Sequence, residues 1–193
     1  RADTRALHWL LRYLSEIETP LALEKLLGFA QCENEVLRAE ACSRIAKVSE
    51  KAREDILLEL LNAPYEREVC FAVRELGALR LLRAVEPLIA LWRGRLETKI
   101  HIEILRAFRR IRDPRCLPEI ERWFPESQGG VAQYEALETL ACYATALRPK
   151  FMKRCMASPQ RAVRQMVYKI IARFPGRRWS LTIAHCLEKE TEE

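Results

Sequence analysis

The stretch "REVCFAVRELGALRLLRAVEPLIALW", residues 67–92, reads as two helices joined by a turn. Ala72, Leu76 and Leu79 fall at spacings of four and three, one face of a helix. Leu88, Leu91 and Trp92 form a second apolar face after the break. A lone pair of helices cannot bury both faces, so these residues predict neighbours on either side.

The neighbours are in the chain itself. Leu76 belongs to a column of Leu14, Ile45, Leu76, Phe108, Leu140 and Ile171, at steps of 31 or 32 residues. Leu79 aligns with Ile17, Val48, Ile111, Tyr143 and Phe174, and Ala72 with Leu10, Ala41, Ile104, Ala136 and Val167. In the second helices Leu26, Leu57, Leu88, Ile120, Met152 and Ile183 share one column. Phe29, Leu60, Leu91, Trp123, Cys155 and Cys186 form the next, followed by Ala30, Leu61, Trp92, Phe124, Met156 and Leu187. No charge enters these second-helix columns, although 31% of the chain is charged. The pattern predicts an all-α fold: a right-handed α-solenoid of six helix–turn–helix units in one repeat domain over 1–193. The units fall at about 1–31, 32–63, 64–94, 95–126, 127–157 and 158–190.

The window "IRDPRCLPEIERWF", 111–124, is then a corner between two helices. Asp113 is suited to accept from the free N–H groups at a helix start, and Pro114 donates nothing where no donor is needed. With Pro118 also in the first turn, regular helix is expected only from about there. Thr19–Pro20 takes the same corner in the first unit, and Pro87 a nearby one in the third.

The chain resembles, best over residues 64–126, a bacterial HEAT-like repeat family that includes the phycobilin-lyase type. The resemblance rests on the apolar–Arg pairs Leu37–Arg38 and Val163–Arg164, on Leu76–Gly77, and on Asp113–Pro114–Arg115–Cys116–Leu117–Pro118. It implies a protein-interaction scaffold with second helices lining a concave groove.

Charge places the candidate binding surfaces. The chain carries +6, unevenly: residues 1–96 hold 15 basic and 15 acidic side chains, and 97–187 hold 17 against 8. One cationic rim follows the turns within units: Lys47, Lys51, Arg53, Arg80, Arg83, then Arg109, Arg110, Arg112 and Arg115. Cations near a helix C-terminus complement its dipole, which explains one per turn but not four in the fourth unit. The outward column of the second helices reads Gly28, Glu59, Ala90, Arg122, Arg154 and His185, with Arg93 and Lys150 beside it and Glu24, Asp55 and Glu86 upstream. The expected groove is acidic at its amino end and basic at its carboxyl end. Arg93, Arg122, Lys150, Arg154 and His185 are the expected groove contacts, and Arg109, Arg110 and Arg112 those on the rim.

Chemistry-bearing patterns are sparse. His8, His101 and His185 lack an orienting partner at any telling spacing, and no paired carboxylates, glycine-rich phosphate loop or nucleophile elbow is present. Seven cysteines without a CxxC read as free thiols in a reducing, cytoplasmic setting, not as zinc ligands. No catalytic residue, metal or cofactor is expected. No run of ~18 apolar residues would cross a membrane. The chain begins with Arg1 and not Met, so a longer polypeptide is expected, with a membrane tether upstream left open.

The first helix, "TRALHWLLRYLSEI", carries Trp9 and Tyr13 beside Leu7, Leu10, Leu11, Leu14 and Ile17, more than one buried stripe needs. An upstream helix or self-association is therefore expected to cover Trp9 and Tyr13. The leading expectation is a non-catalytic scaffold for a protein partner with an acidic segment. Nucleic acid is a second candidate, by resemblance to HEAT-like solenoids acting on damaged DNA, although the groove offers no aspartate to face a flipped base. An anionic membrane surface is a third possible partner. A bilin-lyase activity rests on the repeat resemblance alone.

Overall fold

The protein is described by a computed structural model covering residues 4–94, 97–124, 130–143, 155–158 and 160–173. These residues are helical with no strand, as the 3.6-residue periodicity requires. No helix among them is long and apolar enough to cross a membrane. The chain divides into two compact units, Arg1–Asp113 and Pro114–Glu193.

The first unit holds α1 (Thr4–Ile17), α2 (Pro20–Ala30), α3 (Glu35–Ile45), α4 (Glu50–Leu60), α5 (Glu66–Ala78), α6 (Val85–Gly94) and α7 (Thr98–Ile111). Within it α1 packs on α3, α3 on α5 and α5 on α7, while α2 packs on α3 and α4, and α4 on α5. In this unit most of the 31-residue column positions form the core, and the columns' members at Met152, Phe174, Ile183, Cys186 and Leu187 lie outside the described residues. Ala41, Ala72 and Ile104, then Ile45, Leu76 and Phe108, and in the second helices Leu26, Leu57 and Leu88 are all buried. Each large side chain so buried contributes about 1.5–3 kcal/mol.

Local chemistry sets the helix boundaries. The Thr19 hydroxyl accepts from the Ala22 N–H (3.3 Å), and Pro20, which has no N–H to satisfy, opens α2. The Asn34 side chain accepts from the N–H groups of Val36 and Leu37 (3.0 and 3.2 Å) at the start of α3. Ser49 makes no side-chain cap on α4. Instead the Glu18 carboxylate, from the preceding hairpin, accepts from the Ser49 N–H at 2.7 Å. The corners repeat in the backbone too. Glu18, Arg80 and Arg112 follow Ile17, Leu79 and Ile111, and all three are left-handed, with φ of 50°, 52° and 61°. Such a residue ends a helix sharply without needing glycine, at some strain.

The second unit opens with a 3₁₀ turn, Pro114–Cys116, and holds α8 (Leu117–Trp123), α9 (Val131–Cys142) and α10 (Arg161–Arg173). The corner expected at Asp113–Pro114 is therefore a 3₁₀ turn, matched by another at Leu82–Ala84 before α6. Regular helix starts at Leu117, one residue before Pro118. α9 packs on α8 and α10, burying Ile120, Ala136, Leu140 and Val167. The Cys116 thiol donates to the Tyr143 hydroxyl at 3.3 Å inside this unit.

One first-unit helix departs from its columns. On α1 the fully buried residue is Leu11, while Leu10 and Ile17 are exposed at 42% and 39%. No described helix covers the α1 face that corresponds to the one α3, α5 and α7 turn toward the preceding hairpin.

Candidate functional site

Much of the polar chemistry of the first unit is directed from one hairpin to the next. Arg38 on α3 donates from Nε to Glu68 Oε1 on α5 (3.0 Å), with both side chains largely buried. Its Nη1 donates to the carbonyls of Cys32 and Glu33 (3.0 and 2.8 Å), and its guanidinium lies 3.8 Å above the Tyr65 ring. A buried charge requires this degree of satisfaction. Arg67 meets Glu35 at 2.8 Å, Lys99 meets Glu66 at 2.8 Å, and Arg53 meets Glu75 at 3.5 Å. The Glu66 hydrogen bond raises the Lys99 pKa, as an opposite charge in contact must.

The apolar–Arg pairs gain a structural role from these contacts. Three residues before Ala41, Ile104 and Val167 stand Arg38, His101 and Arg164, one column of the repeat. Arg164 Nη1 donates to the Ser158 carbonyl (2.9 Å), as Arg38 does to Cys32 and Glu33. His101 Nε2 lies 3.1 Å from the Trp92 carbonyl, which only accepts, so the proton is on Nε2. Its ring also packs on Trp92, centroids 4.5 Å apart. All three side chains tie a helix to the backbone segment that precedes it.

The expected rim divides into two groups. Arg53 and Arg83 are drawn into hairpin contacts: Arg53 donates to the Ala46 carbonyl (2.6 Å), and Arg83 pairs with Asp55 (3.0 Å) and Glu54 (3.5 Å). Both are thereby tethered between hairpins, although Arg83 stays largely exposed. Arg109, Arg110 and Arg112 are brought together at the C-terminal end of α7, where Arg110 and Arg112 are exposed and Arg112 occupies the left-handed cap. The outward column of the second helices is open to solvent at Gly28, Glu59, Ala90 and Arg122. Arg93 is exposed in the last turn of α6, in the first unit; Arg122 is exposed on α8, in the second, 3.8 Å from Glu119. Lys150, Arg154 and His185 lie outside the described residues.

A cleft of about 450 Å³ opens beside α1 and α3, with Leu11, Leu37 and Ala39 in its wall and His8, Glu35, Glu40 and Arg67 among its polar groups. His8 Nδ1 is 3.2 Å from Glu40 Oε1, and Arg44 Nη2 reaches His8 Nε2 at 3.1 Å. Arginine only donates, so Nε2 accepts and the imidazole proton sits on Nδ1, facing the carboxylate. Both ring nitrogens are thereby engaged, which makes His8 a polar bridge between hairpins. His8 in isolation did not reveal this. The signal was its distance from Glu40, 32 residues, one repeat interval.

Burial makes two of the thiols poor nucleophiles. Desolvation, reinforced by Glu68, pushes Cys42 up to about 12, and desolvation with Glu66 pushes Cys70 up to about 11. The six described cysteines are free thiols, and Cys186 lies outside the described residues. No protein-family model matches the chain, and no curated protein matches it in sequence.

Proposed function

We propose that the chain is a HEAT-like repeat protein, a right-handed α-solenoid acting as a non-catalytic scaffold for a protein partner with an acidic segment. The observation that carries this reading is the division of labour among cations. Arg38 and Arg53, largely buried, and the exposed Arg67 and Arg83 pair with carboxylates of a neighbouring hairpin, whereas Arg110 and Arg112 stand exposed at the end of α7. The basic excess of 97–187, 17 against 8, extends the same surface character in sequence. In this reading Arg93, Arg122, Lys150, Arg154 and His185 line the groove, with Arg109, Arg110 and Arg112 on the rim.

The test is a fluorescence-anisotropy titration with a labelled poly-glutamate peptide at low salt. Arg110→Glu with Arg112→Glu is expected to weaken binding at least about tenfold, roughly 1.4 kcal/mol, with helical circular dichroism unchanged. A wild-type chain that ignores the peptide sinks the proposal. An oligonucleotide bound with a steep fall against log[salt] gives the site to nucleic acid instead.

A further inference from the structure

The exposed face of α1 is the backward face of the repeat. Tyr13 stands in the column of Arg44, Glu75 and Ala107. Each of those touches the preceding hairpin: Arg44 through His8, Glu75 through Arg53, and Ala107 against Gly77. Trp9 stands in the column of Glu40, which meets His8. Leu10 and Ile17 share columns with Ala41 and Val48, which are buried in α3 and just beyond it. On α1 the same positions are open, Trp9 at 63% and Tyr13 at 62%.

The chemistry of this face differs from that of its counterparts. α7 meets α5 so closely that a Cβ on Gly77 would lie 2.8 Å from the Ala107 Cα, a separation that leaves no room for large rings. α1 instead presents two large aromatics, and an arginine and a glutamate edge them. Arg12 lies 5.4 Å from the centre of the Trp9 ring and binds Glu16 at 2.9 Å, so the patch is held in shape before anything docks. Aromatics with arginine are the enriched composition of protein interfaces.

We infer that α1 is a self-association surface, pairing antiparallel across a two-fold axis with α1 of a second copy of this chain. A two-fold perpendicular to the helix keeps the Arg12–Glu16 edge of each copy on the same side of the interface. With the axis near Tyr13, Arg12 of one copy meets Glu16 of the other, and the Trp9 end of one stripe meets the Ile17 end of its mate. Such a face is self-complementary in charge. The stripe and its edge offer on the order of 500 Å² per copy, about 1,000 Å² in all, at the lower end for a specific interface. An interface of this size belongs with reversible associations.

Sedimentation of the 193-residue chain over a concentration series is the experiment. A reversible monomer–dimer equilibrium is expected. Trp9→Glu with Tyr13→Glu should weaken it at least about tenfold, without loss of helical signal because both side chains are exposed. Arg12→Glu alone should weaken it by setting carboxylates against each other, and Arg12→Glu with Glu16→Arg should restore it. A chain that stays monomeric at every concentration overturns the inference. So does a dimer indifferent to the aromatic pair, or a charge swap that fails to rescue.

Discussion

Gly77 carries a physical requirement that sequence pattern alone leaves unstated. A glycine inside a helix lowers its stability by roughly 0.5–1 kcal/mol relative to alanine, so propensity favours replacing it. Yet a Cβ at Gly77 would stand 2.8 Å from the Ala107 Cα and 2.9 Å from its Cβ. Backbone cannot yield as a side-chain tip can, so α5 and α7 would have to part. Gly77→Ala is expected to destabilise the fold by about 1–3 kcal/mol. Gly28 lies inside α2 with nothing within 4 Å of its would-be Cβ, and Gly28→Ala should stabilise by roughly 0.5–1 kcal/mol. Urea unfolding of the two variants checks both signs. If they shift together, close helix approach is not what keeps Gly77. The Leu76–Gly77 pair was legible as a motif, whereas its cause is a distance between residues thirty positions apart.

At the scale of elements, hairpins are joined by groups that act across one repeat interval. Glu18 ends the α1 corner in the left-handed region and places its carboxylate on the Ser49 N–H at the start of α4. There an anion meets unsatisfied backbone donors and the positive end of the helix dipole. Hydrogen bonds from the Ser49 hydroxyl and N–H hold Glu18 below its ordinary pKa of 4.5. A depressed carboxylate pKa means that the unfolded chain binds the proton more readily. The stabilisation is therefore present above the ordinary value and is lost as pH falls through the folded one. Glu18→Gln should unfold at lower urea than wild type at neutral pH, with the two curves converging in acid. A gap that persists unchanged at low pH would assign the effect to packing. Element boundaries were largely readable, since Thr19–Pro20 and the Asp113–Pro114 corner announce themselves in capping chemistry. Glu18 as a cap was not, because its recipient lies 31 residues on.

For the molecule as a whole, the first unit has its own core and its own cross-hairpin ion pairs. A fragment of residues 1–113 is expected to be helical and to unfold cooperatively in urea. A fragment with random-coil circular dichroism would show that its core depends on the rest of the chain. The all-helical class of the described residues and the core columns from α2 to α7 were decided by the sequence alone, because an apolar period of 3.6 within an interval of 31 or 32 leaves these helices one consistent set of residues to bury. Tertiary structure alone decided which cations serve the architecture. Arg53 and Arg110 look alike in composition, but one reaches Glu75 and the other stands in solvent. It also decided that Leu10 and Ile17 stay open while Ala41 and Val48 are closed. The reason is physical: periodicity specifies which face of a helix is apolar, but burial depends on whether another helix lies against that face.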